Sequence, residues 1–445
     1  MVTFIAFLIF NQWLETQIVV GKNPTSVCYN PINHKVYSLN RRGSSISIID
    51  AATNQVIDTI FVNNPFGEIV YNSQNNKIYC LSGSSQDSIV VIDGATNQII
   101  LKILNPSSGG RLLYNPINNK IYCFNCDAND VTVFDGERDS LIKIIQYGIG
   151  DGPVKGCIAF QFNKIYCFNT WDGTVSVISS DIDSVIKVIP VASRPGGIGY
   201  NFKNKKIYVS HIYDPVVEII DAEKDTLITT INLGASSWGS ISYDTVYNNI
   251  YIPADYYVAV IDGETNVIID RIYFSGALYE TFYNPINKKI YCSYVRIHPI
   301  FQSIIGIIDT KTRQVIDTIP LNILGAFFPF CLNPRENRVY IPHAWVDASG
   351  TPRDSVISVI KDEVSIKESQ SSSSFEIKYF PNPSKPDFLI LPINVESVKI
   401  YDVNGKLIKK AKGQKISVKE IKTGIYFVKI FTTEKEYIKK LIKVY

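Results

Sequence analysis

Aspartates recur at one position of a repeated phrase in this chain of 445 residues. Carboxylates are the side chains that bind hard metal ions and transfer protons, so a recurring set invites a metal or acid–base interpretation. Each one, however, begins a tight turn, where Asp accepts hydrogen bonds from the backbone of its own turn. The set is spread over the repeats, so we interpret it as turn caps. It comprises Asp50, Asp93, Asp135, Asp221, Asp262 and Asp309.

The cysteines provide few ligand sets. Four of the eight follow the same Ile-Tyr pair, which indicates small buried side chains. Cys123 and Cys126 form an isolated CxxC with no second pair and no nearby His, so zinc is not predicted. Cys157 and Cys167 flank a tight turn, and the sequence leaves open whether they form a disulfide.

Sequence motifs of hydrolases and nucleotide-binding proteins are missing. There is no Gly-x-Ser-x-Gly elbow and no HExxH. The glycine-rich stretch 148–152 has no helix after it to bind phosphate. The four histidines lie in four different copies of the repeat. We therefore predict no catalytic residue, no metal site, no cofactor and no enzyme activity.

These residues are positioned by a repeat, marked by an apolar β-branched residue followed by Tyr. It occurs eight times at intervals of 40 to 49 residues. Each copy contains short apolar runs separated by turns rich in Asn, Asp, Gly and Ser, which predicts four strands per copy. This period and strand number are typical of an all-β, eight-bladed β-propeller. The marker tyrosines are Tyr37, Tyr79, Tyr122, Tyr166, Tyr208, Tyr251, Tyr291 and Tyr340.

The propeller is predicted over residues 17–366. The segment 17–21 matches the fourth-strand phrase of other copies, such as 57–62. The eighth copy has three clear strands and a weaker fourth candidate at 364–366. We expect the N-terminal strand to complete the last blade, since a closed ring removes exposed sheet edges.

The two ends of the chain differ from the repeats. We interpret residues 1–16 as an atypical or truncated signal peptide, because 2–10 is apolar but lacks a basic start and a small-residue cleavage site. Residues 367–374 are a Ser-rich linker. Residues 375–445 contain short strands with Asn-Gly and Thr-Gly turns, which predicts a small antiparallel β-sandwich. That segment carries 15 Lys against 7 acidic residues, and the remainder has a net charge of −5, so we predict no nucleic-acid partner.

The C-terminal segment resembles the type A sorting domain of the type IX secretion system. The resemblance implies that the type IX machinery is a partner and that the protein is exported. The expected location is the extracellular space or outer-membrane surface of a diderm bacterium, and cleavage of the domain stays open. The motif residues are Pro381, Asn382, Pro383, Tyr401, Asp402, Gly405, Gly424 and Tyr426.

The repeats resemble the YVTN family of β-propeller surface proteins. The namesake strand appears at 207–210, and the Asn-Pro turns at 30–31, 115–116 and 284–285 fit the family as well. The resemblance implies a propeller fold with several uses, so function does not follow from it.

Function is expected on one face of the propeller. Two turn classes are nearly uniform among the copies, and the other two loop classes, on the opposite face, vary in length and chemistry. We predict that this variable loop face binds a polysaccharide or a surface protein. The alternatives are a lactonase-like enzyme or redox-enzyme subunit, which needs acids and bases in the central channel, and a structural surface-layer component. The candidate residues are Trp171, His211, Tyr213, Trp238, Tyr256, His298, His343 and Trp345.

Overall fold

A computed structural model gives the arrangement of the chain. It describes residues 8–83, 87–296, 302–321, 326–327, 329–344, 355–366, 388–390, 395–402, 407–412, 415–417, 420–421, 424–432 and 436–443. Every regular element among them is a β-strand. Leu8–Ser365 form one compact unit, and the described residues from Ile366 onward belong to a second.

The first unit is an eight-bladed propeller, which confirms the predicted fold. Seven blades are four-stranded antiparallel sheets whose strands follow chain order. Blade 1 is β2 Pro24–Asn30, β3 Lys35–Asn40, β4 Ser45–Asp50 and β5 Gln55–Phe61. Blade 2 is β6 Pro65–Asn72, β7 Lys77–Ser82, β8 Ser88–Asp93 and β9 Ile99–Leu104. Blade 3 is β10 Arg111–Asn115, β11 Lys120–Asn125, β12 Asp130–Asp135 and β13 Ser140–Ile145. Blade 4 is β14 Pro153–Ala159, β15 Lys164–Asn169, β16 Thr174–Ser179 and β17 Ser184–Pro190.

The remaining blades continue the pattern. Blade 5 is β18 Pro195–Asn201, β19 Lys206–His211, β20 Val216–Asp221 and β21 Thr226–Asn232. Blade 6 is β22 Ser242–Asp244, β23 Asn249–Ala254, β24 Tyr257–Asp262 and β25 Ile268–Tyr273. Blade 7 is β26 Ala277–Asn284, β27 Lys289–Arg296, β28 Gln302–Asp309 and β29 Gln314–Leu321. Blade 8 combines β30 Ala326–Phe327, β31 Cys331–Asn333, β32 Arg338–Ala344 and β33 Val356–Ile366 with β1 Leu8–Val19.

The N-terminal strand closes the ring, as the sequence predicted. β1 is the neighbour of β33, and the Val20 N–H donates to the Ser355 carbonyl (2.7 Å). The candidate fourth strand at 364–366 is the end of β33 instead, because the edge beside β33 is already occupied by β1. β1 begins at Leu8, inside the segment interpreted as a signal peptide.

Polar contacts explain why β1 belongs to the blade. The Arg338 guanidinium donates from Nε and Nη2 to the two oxygens of Glu15, both at 2.6 Å. The same guanidinium donates from Nη1 to the Ala51 carbonyl in blade 1 (2.6 Å). A bidentate charged pair is among the stronger polar contacts in proteins. The closing strand is therefore tied to blade 8, which is tied to blade 1.

The marker tyrosines join neighbouring blades. Each is fully buried, and its hydroxyl donates to the next blade. The acceptor lies in the turn between the third and fourth strands, except that Tyr291 donates to Asp362 within β33. In most blades a Lys two residues earlier reaches an Asn or Asp of the same turn, as Lys120 reaches Asp183 (2.6 Å). That turn residue has a positive φ, which Asn and Asp tolerate best. The Ile-Tyr repeat is thus a blade-joining device.

Blade 6 and blade 7 depart together from this rule. Asn249 replaces the Lys of blade 6, and Arg313 replaces the acceptor in the turn of blade 7. A Lys facing an Arg would repel it, so the paired change removes the conflict. Arg313 instead contacts Asp270 of blade 6 (3.3 Å), and Tyr251 still donates to the Thr310 carbonyl.

The outermost strand of each four-stranded blade contains a β-bulge. The register shifts at one place, and the extra residue is an exposed isoleucine in all seven blades. Bulges twist an edge strand away from regular pairing, which discourages association with other edges. The bulge residues are Ile57, Ile100, Ile142, Ile186, Ile228, Ile269 and Ile316.

The second unit contains two antiparallel sheets, as predicted. Its strands are β34 Phe388–Ile390, β35 Val395–Asp402, β36 Leu407–Ala411, β37 Lys415–Ser417, β38 Gly424–Thr432 and β39 Glu436–Lys443. Four of them form a sheet in the order β36-β35-β38-β39, and β34 pairs with β37. Val398, Ile400, Ile416 and Ile421 are buried, so both sheets contribute to the core.

Candidate functional site

The loop face of the propeller carries exposed aromatic side chains. It consists of the turns between second and third strands and the connections between blades. Trp171, Tyr213, Trp238 and Tyr256 are all more than half exposed there. His211 and His343 are fully buried at the ends of β19 and β32. His298 and Trp345 lie outside the described residues.

Three side chains from three different loops meet on this face. The Tyr213 and Trp238 rings lie edge to face, with centroids 6.2 Å apart and an interplanar angle of 89°. The Arg194 guanidinium lies 5.8 Å from the centre of the Tyr213 ring, within range of a cation–π contact. Tyr213 and Trp238 are 62% and 59% exposed, so this aromatic–arginine cluster faces solvent.

The backbone of Arg194 has an unusual conformation. It directly precedes Pro195 at the start of blade 5, and its φ is 50°. The residue in the same place is Asn23 in blade 1, Asn64 in blade 2 and Gly152 in blade 4, all with positive φ. Asn and Gly adopt this conformation readily, whereas Arg does so at a cost. Blade 5 therefore breaks a local rule at a residue of the cluster.

His211 anchors the loop that carries Arg194. Its Nδ1 lies 3.1 Å from the Ser193 carbonyl, and its Nε2 lies at ion-pair distance, 3.0 Å, from Glu218 Oε2 without an aligned hydrogen bond. Glu218 Oε2 also accepts the Ala192 N–H (2.8 Å). The backbones of Ala192 and Ser193, directly before Arg194, are thus held by hydrogen bonds to Glu218 and His211. His211 therefore supports the cluster rather than contacting a ligand.

The other predicted residues are separate from this cluster. Trp171 packs on Gly152, where a Cβ would lie 2.7 Å from the ring. Tyr256 lies in the turn of blade 6. His343 Nε2 contacts Ser358 Oγ (3.0 Å), and burial lowers the pKa of His343 from 6.5 to about 3. A neutral, enclosed imidazole at neutral pH is a structural feature of blade 8.

The recurring aspartates cap their turns, as predicted. Asp93 Oδ1 accepts the Ala95 and Thr96 N–H groups (2.9 and 2.7 Å) and the Thr96 hydroxyl (3.0 Å). The Thr96 N–H holds the pKa of Asp93 below its usual value. Asp50 and Asp262 make the same contacts.

The cysteines are thiols in this structure. Cys157 lies opposite Tyr166 in the register of β14 and β15, and Gly156 lies opposite Cys167. Adjacent residues of a strand point to opposite faces, so the two sulfurs face different neighbours and no disulfide joins them. In the described part of the chain no group of His, Cys, Asp and Glu is placed to hold a metal ion. Nor is any helix there long and apolar enough to span a membrane.

The central channel contains a ring of polar residues that was not predicted from the sequence. The first strands of neighbouring blades lie against each other around the axis. The residue four positions before the end of each first strand is at one level of this channel, and six of the eight are polar or charged. Around the ring they are Ser26, Glu68, Arg111, Lys155, Gly197, Ser240, Glu280 and Pro329.

Direct contacts within this channel ring confirm the common level. Arg111 Nη1 lies 3.5 Å from Glu68 Oε1 on the neighbouring blade. Lys155 Nζ reaches past blade 5, whose residue in the ring is Gly197, to Ser240 Oγ (3.1 Å). The Ser240 N–H donates to Glu280 Oε2 (2.9 Å). The signal was present in the sequence, as a fixed offset from the Asn or Asp that ends most first strands.

The sorting motif lies partly within the second unit. Tyr401 and Asp402 end β35, where they pair with Phe427 and Tyr426 of β38. Gly424 begins β38. Pro381, Asn382, Pro383 and Gly405 lie outside the described residues.

Comparisons with known proteins agree with both units. Residues 378–444 match the family model described as the secretion system C-terminal sorting domain. Residues 41–172 match the model described as the IFT122 second beta-propeller. No curated protein matches the chain significantly.

Many solved structures share the propeller fold. One is dihydro-heme d1 dehydrogenase NirN in complex with DHE, with a TM-score of 0.60 and 11% identity over 75% of each chain. Because 1638 chains of solved structures match, this likeness shows the fold and does not identify an activity.

The chain is therefore an eight-bladed β-propeller that carries a C-terminal secretion sorting domain. Such a domain directs the protein to the cell surface or the extracellular space and implies interaction with the type IX secretion machinery.

Proposed function

We propose that this exported propeller is a binding module that holds an extracellular partner on its loop face. The observation that carries the proposal is the aromatic–arginine cluster of Arg194, Tyr213 and Trp238. Trp, Tyr and Arg are the residues enriched at the energetic centres of protein interfaces. The edge-to-face rings present no flat platform of the kind that stacks on a sugar, which favours a surface protein over a polysaccharide.

The unusual backbone of Arg194 supports the same proposal. A residue that breaks a local rule, where Asn or Gly stands in other blades, is expected at functional sites. The Arg194→Asn variant should therefore keep or raise the thermal stability of the propeller, while binding becomes weaker. A purely structural Arg194 would not separate these two effects.

The test uses the purified full chain against panels of surface proteins and glycans. Trp238→Ala and Arg194→Asn should each weaken binding by about tenfold or more. Tyr147→Ala is the matched control, because Tyr147 is an exposed aromatic (94%) on the same face outside the cluster. Equal binding by all three variants, or no binding by the wild type to either panel, would show that the cluster is not a binding site.

A second candidate is an enzyme. It is favoured by the channel ring, which places two carboxylates and two cationic side chains around the axis of the propeller. Catalysis needs such groups in a cleft. The dehydrogenase that shares the fold was solved in complex with DHE, so a redox activity is the enzyme activity to test first. Turnover of a redox substrate that is abolished by Glu280→Gln would support the enzyme over the binding module.

A further inference from the structure

The channel ring has an arrangement of charge that suits one class of ligand, and it shares no residue with the aromatic–arginine cluster. Arg111 and Lys155 lie on neighbouring blades, and Glu68 and Glu280 flank them on blades 2 and 7. The ring thus contains two cations and two anions. A ligand with a single charge gains no net attraction from it, whereas a ligand with both charges can match it locally.

A single residue, Ser240, bridges Lys155 and Glu280. Lys155 Nζ donates to the neutral hydroxyl of Ser240, and among the described residues no carboxylate oxygen lies within ion-pair distance of it. Glu280 Oε2 accepts the backbone N–H of the same serine. A positive and a negative group are therefore held on either side of Ser240, each with hydrogen-bonding capacity left, since an ammonium has three donors and a carboxylate about four acceptor sites.

Arg111 extends the positive side. Its side chain is 43% exposed, and its contact with Glu68, at 3.5 Å, is longer than a well-formed charged hydrogen bond. Guanidinium groups bind carboxylates with two parallel donors. An incoming carboxylate would therefore find donors from two adjacent blades, Arg111 on blade 3 and Lys155 on blade 4.

Blade 5 contributes no side chain to the channel ring. Gly197 occupies its ring position, between Lys155 and Ser240, and Gly196 and Gly199 are its neighbours in β18. A Cβ at Gly197 would lie 2.5 Å from the Gly239 carbonyl oxygen, so close packing of the two backbones requires glycine there.

From this geometry we infer that the channel ring binds a small zwitterion of the α-amino-acid class. Its carboxylate accepts hydrogen bonds from Lys155 and Arg111, and its ammonium donates to Glu280. Ser240 lies between the two contacts and fixes their separation through its hydroxyl and its N–H.

The experiment is calorimetric titration of the purified full chain with glycine, alanine, serine and glutamine. Acetate and methylammonium are the control ligands, since each carries only one of the two charges of an amino acid. The amino acids should bind at least about tenfold more tightly than either ion, because each ion loses one charge-assisted contact. Lys155→Met, which keeps the apolar stem, and Glu280→Gln, which keeps the acceptor for the Ser240 N–H, should each weaken binding by about 10- to 100-fold.

Two control variants test whether binding occurs at the channel ring. Lys187→Met removes an exposed lysine of the outer strand of blade 4 and should leave binding unchanged. Tyr147→Ala alters an exposed loop-face residue outside both the cluster and the channel ring, so it should also leave amino-acid binding unchanged. Thermal unfolding of every variant checks the fold.

The inference is wrong if no amino acid of the set binds the folded wild type at millimolar concentration. It is also wrong if acetate binds as tightly as glycine, or if Lys155→Met and Lys187→Met behave alike.

Discussion

The contacts between blades differ in burial, and this difference predicts a large effect at one of them. Lys289 and Asp362 join blades 7 and 8 at 2.7 Å, with both side chains fully enclosed. Lys77 and Asp139 make the same contact between blades 2 and 3, with side chains 16% and 12% exposed. Both aspartates also accept a marker tyrosine hydroxyl, from Tyr291 and Tyr79.

Asp362→Asn should destabilise the propeller by about 3–5 kcal/mol, because it removes the carboxylate that contacts the enclosed Lys289 ammonium. Asp139→Asn should cost about 1 kcal/mol or less, since Lys77 can reach water. The chain itself provides a precedent for the second change, because Asn54, Asn97 and Asn266 occupy this position in other blades.

The assay is urea unfolding followed by tryptophan fluorescence. All four tryptophans (Trp13, Trp171, Trp238 and Trp345) precede residue 366, so the signal reports on the propeller alone. Equal m-values for the variants would allow the midpoints to be compared as free energies. Equal losses of stability in Asp362→Asn and Asp139→Asn would show that burial does not control the strength of the blade contacts.

Closure of the ring, the buried imidazole of His343 and the free thiols each have a measurable consequence. In the same urea assay, Glu15→Gln should lower propeller stability by about 1–3 kcal/mol, because the charged contact with Arg338 is lost. Glu223→Gln is the control: Glu223 forms an exposed pair with Lys205, so the change in stability should be less than about 0.5 kcal/mol. His343 has its folded-state pKa lowered to about 3, so the unfolded chain binds a proton that the folded chain does not between pH 6.5 and about 3. The contribution of His343 to stability is intact above pH 6.5 and falls by about 1.4 kcal/mol per pH unit below that value. The stability of the His343→Gln variant should therefore fall less steeply with decreasing pH. Identical pH profiles of the wild type and the variant would exclude this effect. All eight cysteines should react as thiols in denaturant without reductant, and a count of six would indicate a disulfide. Under native conditions the partly exposed Cys126 should react before the buried Cys80.

Local chemistry made much of the fold predictable. Strands of β-branched residues, Asp at the turn start and Asn or Gly at positive φ act within a few residues, so the eight copies and their turns were visible in the sequence. The closing role of the N-terminus was also visible, since its phrase matches other fourth strands. The residue at which this strand begins was not visible, because the composition of the apolar run at 2–10 fits a signal peptide and a strand equally well.

The candidate sites depended on tertiary structure. The chain alone determined that six titratable or hydroxyl side chains stand at one offset in the repeat, but each first strand appears mostly apolar by itself. Only the ring closure, set by pairing of β1 with β33, places Lys155 of blade 4 beside Ser240 of blade 6, 85 residues apart. Likewise, the burial of His211 and His343 and the meeting of Arg194, Tyr213 and Trp238 follow from the register between blades, which no single repeat encodes.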